Sequence, residues 1–312
     1  MQKQVSFDIA DLSVALHWDA PLGSFKLPAA YQPFIHRCEK EMTGSPARIS
    51  NLGGVRRAGL LEENEIRLQL AAAAALPQAG TVVFENEPIW SLYRVRGGLS
   101  FRILESYHDL KRTLFIPDNG GGAHLSFQAA NRDPFTGPTL ELLMIAHLAR
   151  RGGVVLHGCG VSIDGRGIVF AGESGAGKST LSRLLARKEG IELLSDDRVV
   201  VRRQNGSFYL YGTPWHGDET FAAPGGVELN RIFFIRHGQS NDARKLSAAG
   251  VVREMLKCSF PPLWDAVGMT AALELFHSMA SAVPGAELDF VPDRTALDFV
   301  LALSERAILT KP

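Results

Sequence analysis

Gly172, Gly177, Lys178 and Ser179 fall in the spacing G-x-x-x-x-G-K-[ST], and those residue types suit a chain of phosphates. Glycines let backbone N–H groups turn inward around an anion where a side chain would block them. Lys178 neutralises the outer phosphates, and the Ser179 hydroxyl can ligate a divalent cation. The run Gly172, Glu173, Ser174, Gly175, Ala176, Gly177, Lys178, Ser179 and Thr180 is therefore the expected cradle for a nucleoside triphosphate, ATP with Mg²⁺. Downstream, Asp196 and Asp197 end an apolar run. Acidic residues at such a strand terminus hold Mg²⁺ in phosphate-loop proteins, and a pair permits one carboxylate to serve the metal while the other takes a proton. His157, Trp215, His216 and Arg231 are the remaining candidates, the last three on the substrate side.

The elements around these residues follow from local signals. Residues 154–163 and 167–171 are apolar and strand-like, with only Asp164-Gly165-Arg166 between them. A parallel pair needs a crossover of a dozen or more residues, so these strands are expected antiparallel. A two-residue Asp164-Gly165 turn would set Ile163 opposite Arg166 and His157 opposite Gly172. Leu181, Leu184 and Leu185 give helical spacing behind the loop, over residues 179–187, whose positive end would face the anion. Asn205-Gly206 marks a second hairpin, 198–204 with 207–211. Pairing outward from it brings Trp215-His216-Gly217-Asp218 towards the two aspartates. Ile232–Ile235 reads as a buried strand between Arg231 and Arg236, and residues 251–257, 270–279 and 294–303 read as helices. The alternating stretch 286–291 is expected to be a last edge strand.

Residues 1–130 read as a smaller β-rich domain with a role in substrate recognition, with strands at 5–18, 81–85, 90–95, 100–104 and 114–116 and one helix at 62–75. Residues 131–312 form the nucleotide-binding domain, opened by a helix over 138–150. The expected fold class is α/β (α+β), a mixed-sheet phosphate-loop domain behind a β-rich one. Lys+Arg and Asp+Glu are equal at 33 each, so no global field favours nucleic acid or an anionic membrane. Three widely spaced cysteines, Cys38, Cys159 and Cys258, suggest neither a disulfide framework nor zinc, and no apolar run is long enough to span a bilayer. A cytoplasmic, soluble protein is expected; self-association is left open.

The stretch Val155-Leu156-His157-Gly158, then Gly172–Thr180, then Leu194-Ser195-Asp196-Asp197 resembles the catalytic domain of HPr serine kinase/phosphorylase. More loosely it is similar to ATP-dependent phosphoenolpyruvate carboxykinase. The resemblance covers about residues 138–240. It implies that His157, Lys178 and Asp196 are catalytic, with Asp196 as proton acceptor, and that Ser179 and Asp197 sit at Mg²⁺. It further implies an ATP-dependent kinase acting on a hydroxyl, with a serine of a peptide or small protein as the expected acceptor and a small-molecule hydroxyl left open. Two alternatives remain: a nucleotide-dependent regulatory or binding protein with little phosphotransfer, and a carboxykinase-like or NTP-hydrolysing enzyme.

Overall fold

The computed structural model describes residues 2–19, 27–38, 64–73, 80–86, 88–104, 110–128, 134–135 and 137–305. The chain divides into two compact units, Met1–Leu140 and Glu141–Pro312; residue 131, the expected boundary, lies outside the described residues. The protein is a mixed α/β chain with two large mixed sheets.

The first unit contains β1 (Gln2–Ile9), β2 (Leu12–Asp19), β3 (Ile35–Cys38), β4 (Glu65–Ala73), β5 (Thr81–Asn86), β6 (Trp90–Val95), β7 (Gly98–Leu104), β8 (Leu110–Pro117) and β9 (Ala123–Gln128). They form one sheet in the order β3-β1-β2-β4-β9-β8-β7-β6-β5. Two expectations are corrected here. The stretch 5–18 is a hairpin rather than one strand, turned by Ala10 and Asp11 at φ 54° and 56°. The helix expected at 62–75 is the strand β4, parallel to β2 on one side and β9 on the other. Its alanines favour helix in isolation. However, Ile66, Leu68 and Leu70 are buried in alternation with Arg67 and Gln69, and pairing on both flanks decides the outcome.

In the second unit, α1 (Thr139–Leu148) and a 3₁₀ turn (Ala149–Arg151) lead through left-handed Gly152 into β10 (Gly153–Ile163). There follow β11 (Arg166–Ala171), α2 (Lys178–Leu185), β12 (Ile191–Ser195), β13 (Arg198–Gln204), β14 (Ser207–Tyr211), β15 (Gly226–His237) and β16 (Asp242–Lys245). The chain ends with α3 (Ala248–Lys257), α4 (Ala266–Ala282), β17 (Gly285–Phe290) and α5 (Arg294–Glu305). The long strands β10 and β15 each serve two neighbourhoods. The first half of β10 pairs with β13, and its second half pairs with β11 and β12. β15 meets β14 at its start and then runs parallel to β11 and β17.

Alternation along these strands builds a core on each face. Val169, Ile232 and Phe234 pack with α3 and α4 residues such as Val251, Met255 and Phe276. Phe170, Phe233 and Ile235 pack on the other side with Leu181 and Leu185 of α2 and Val300 of α5. β17 is an interior strand, not the expected edge: β15 flanks it in parallel and β16 in antiparallel, so β16 is the outer strand. No described helix is long and apolar enough to cross a membrane.

Candidate functional site

β10 and β11 pair with Ile163 opposite Arg166, which places His157 at the exit of β11. The Gly172 N–H donates to the His157 carbonyl at 3.3 Å, and the His157 N–H donates to the Cys258 carbonyl at 2.7 Å. From Gly172 the chain turns through Glu173, Ser174 and Gly175, all exposed, and enters α2 at Gly177. Gly175 and Gly177 have φ of 81° and 98°. A side chain on Gly177 would meet the Phe290 ring at 2.6 Å, so glycine is required there twice over. The loop is held from outside by His237, whose Nε2 lies 2.8 Å from the Gly175 carbonyl while its ring stacks on Phe290.

Lys178 is 6% exposed, and its ammonium donates to the carbonyls of Gly172 and Glu173 at 2.9 and 2.8 Å. Burial lowers its pKa, and the negative charge of Asp197 opposes that. Among the described residues the N–H groups of Ser174, Gly175 and Gly177 have no acceptor, and Ser179 and Thr180 stand in the first turn of α2, whose N–H groups lack helical partners. A buried cation with a ring of unspent backbone donors fits a polyphosphate.

The two aspartates sit in opposite surroundings. Asp196 is 2% exposed. Its two oxygens accept from the backbone N–H groups of Gly217 and Glu219, each at 3.0 Å. Gly217 approaches so closely that a Cβ would stand 3.0 Å from the carboxylate. Asp197 instead accepts from His157 Nε2 at 3.0 Å and from Arg198 Nη1 at 2.6 Å. Its carbonyl is fixed by the Gly158 N–H at 3.0 Å. Burial alone would raise the Asp197 pKa, but the His157 hydrogen bond and the charges of Arg198 and Lys178 outweigh it, so the carboxyl lies below its usual range. A partner on Nε2 that only accepts requires that nitrogen to carry a proton.

Beyond Asp197 the pairing continues. Arg198 donates from Nε to Glu141 at 3.0 Å and lies 4.6 Å over the Phe260 ring. Burial pushes the Glu141 pKa up, with Arg198 as the main opposing influence. Sequence reading missed Glu141, Arg198 and Phe260. Only Arg198 carried a signal, as a cation adjoining the acidic pair.

The structure therefore brings His157, Lys178, Asp197 and the loop together, with Asp196 one residue back. The segment 213–219 reaches Asp196 through its backbone; within it Trp215 N–H donates to Thr213 Oγ1 and His216 Nδ1 lies 2.9 Å from the Gly217 carbonyl. Arg231 does not join this group. It is in register with Ile168, four residues before Gly172, and lines a separate hollow with Asp164 and Arg166. Expected at a strand end, Arg231 instead stands in the middle of β15, towards the start of its parallel pairing with β11 and away from the loop.

No family model matches the chain, and no curated protein matches it. Among solved structures the chain is similar to the HPr(Ser) kinase/phosphatase from Coxiella burnetii at 13% identity and a TM-score of 0.28, over 48% of this chain and 94% of that one. Agreement at that level is too slight to carry a role from one chain to the other.

Proposed function

We propose that this protein is an ATP-dependent kinase that transfers a phosphoryl group to a hydroxyl. The observation that carries the reading is the convergence on one loop of a buried ammonium, open backbone donors and an imidazole–carboxylate pair. Phosphoryl transfer asks mainly for positioning and charge neutralisation, and this set supplies both. The loop N–H groups and Lys178 bind the triphosphate. Asp197 takes the acceptor proton, and His157 holds that carboxylate by its Nε2–H. The family resemblance implies the opposite allocation; we favour Asp197 because its oxygens meet side chains, His157 and Arg198, whereas both Asp196 oxygens are held by the backbone of the 213–219 segment. Ser179 would help to hold Mg²⁺, which when bound would supply charge neutralisation at the phosphates. The acceptor is a hydroxyl compound, for which a serine of a peptide or small protein is one form.

The test is ADP release and transfer of labelled phosphate from ATP, with binding of a fluorescent ATP analogue measured in parallel. Asp197→Asn is expected to lower kcat by about 10²–10⁴-fold while analogue affinity stays within about twofold. Full transfer by that variant would remove Asp197 from the chemistry. Tight analogue binding without turnover in the parent protein would favour a nucleotide-dependent binding protein.

A further inference from the structure

We infer that the hollow beside the start of the glycine loop receives the acceptor, and that this acceptor is a small hydroxyl compound bearing a carboxylate or phosphate group. The inference rests on the kinase reading and specifies its substrate class. The hollow measures about 380 Å³ and is walled by loop residues 172–176, the end of β15 and the end of α3. That volume suits a compact solute rather than a protein surface.

Its position relative to the loop comes from Lys178. The ammonium sits against the carbonyls of Gly172 and Glu173, and in this motif the lysine meets the outer phosphates. The terminal phosphate therefore lies at the Gly172–Glu173 end, and those two residues also wall the hollow. The base adjoins the hollow through the backbone: Gly172 and Cys258 line the hollow and hydrogen-bond to the backbone of His157, whose ring holds Asp197.

The donors on the wall opposite the loop give the ligand class, the loop side carrying the exposed carboxylate of Glu173. Glu254 of α3 has a side chain only 8% exposed, and Arg236, Arg253 and Lys257 all converge on it. It orients these cations more than it consumes them. Lys257 gives one bond to each Glu254 oxygen, at 2.9 and 3.0 Å, which leaves a third ammonium N–H. Arg236 meets Glu254 and Glu287 through the same Nη2, at 3.5 and 2.7 Å, which leaves part of its five-donor fork to share with a ligand. Both cations are close to half exposed, at 46% and 44%. Pre-oriented donors with capacity to spare select an anion, and the arginine fork suits a carboxylate or phosphate. His237 is already committed to the Gly175 carbonyl.

In the transfer the acceptor hydroxyl oxygen forms a bond to the terminal phosphorus. The bond from that phosphorus to the bridging oxygen breaks, its electron pair leaves on the nucleoside diphosphate, and the hydroxyl proton passes to Asp197.

The experiment uses the full chain with ATP and Mg²⁺ and four probes: glycerate, glycerol 3-phosphate, glycerol, and an N-acetylated, C-amidated peptide with one internal serine. ADP release is expected to rise with one or both anionic probes and not with glycerol or the blocked peptide. Arg236→Gln and Lys257→Gln should each raise the KM of the active anion by about tenfold or more, with the affinity for the ATP analogue within about twofold. Arg236→Lys, which keeps the charge without the fork, should recover part of that loss. Comparable turnover with glycerol or the peptide, or a KM indifferent to all three substitutions in folded protein, overturns the acceptor assignment and leaves the kinase reading standing. Absence of turnover with every probe, despite nucleotide binding, overturns both.

Discussion

Two charged clusters adjoin the start of the glycine loop, and they are wired on different plans. One is a chain: Glu141, Arg198, Asp197 and His157 pair in sequence, each side chain meeting the next. The other is a star, with Arg236, Arg253 and Lys257 gathered on Glu254. A chain fixes the orientation of its terminal members and leaves little charge over, which suits a group that must take one proton from one direction. A star leaves excess positive charge and unspent donors around its rim, which suits capture of an anion. On the proposed reading, the difference separates chemistry from recognition.

The comparison can be broken most strongly at the aspartates. Asp197→Asn should cost catalysis foremost, and Asp196→Asn should cost stability foremost. Asparagine offers one carbonyl oxygen to two backbone donors, so a loss of about 1–3 kcal/mol in stability is expected. Thermal melts beside kcat would show it, and equal kcat losses with unchanged melts would erase the distinction between the two carboxylates.

A comparable effect is expected at the centre of the star. Glu254→Gln leaves three partly exposed cations facing one another around an 8% exposed position, and loss of their shared charged acceptor costs about 1–2 kcal/mol. The Glu254 carboxyl feels an upward push from burial, but Lys257, Arg253 and Arg236 hold it below its ordinary 4.5. A depressed carboxyl stabilises the fold above its unfolded pKa and loses that contribution as pH falls through the folded value. Chemical denaturation should therefore show the parent and Glu254→Gln well separated above pH 4.5 and converging in acid; a constant gap would contradict the assignment.

The smallest effect is on α3, which carries the star. Ser247 caps it by accepting the Gly250 N–H at 3.2 Å. Ser247→Ala should lower stability by about 1 kcal/mol, read as a shifted denaturant midpoint, with nucleotide affinity unchanged.

What the sequence made legible was local. The Asp164-Gly165 and Asn205-Gly206 turns set the registers of their hairpins, and one of those registers by itself puts His157 beside Gly172. The approach of the 213–219 segment to the aspartates followed from the other. What stayed hidden depended on distant partners. β4 looks helical by composition because alanine is indifferent to its neighbours, while two flanking strands decided its state. Glu141 and Arg198 are 57 positions apart, and Arg236 and Glu254 belong to separate elements, so no spacing rule could join them. The division of labour between Asp196 and Asp197 was beyond reach for a related reason. It depends on which of two adjacent residues points at Gly217 and which at His157.

β10 and β15 belong to both neighbourhoods of the second unit, and their alternating residues feed both of its cores. Cutting the unit into a phosphate-holding half and a remainder would sever strands that each half needs for its own interior. Evolution could therefore have added segments around this body, or exchanged its loops, but it could not have lent out either half as a portable module. The glycine loop and the charged wall beside it rest on the same two paired strands, β11 and β15.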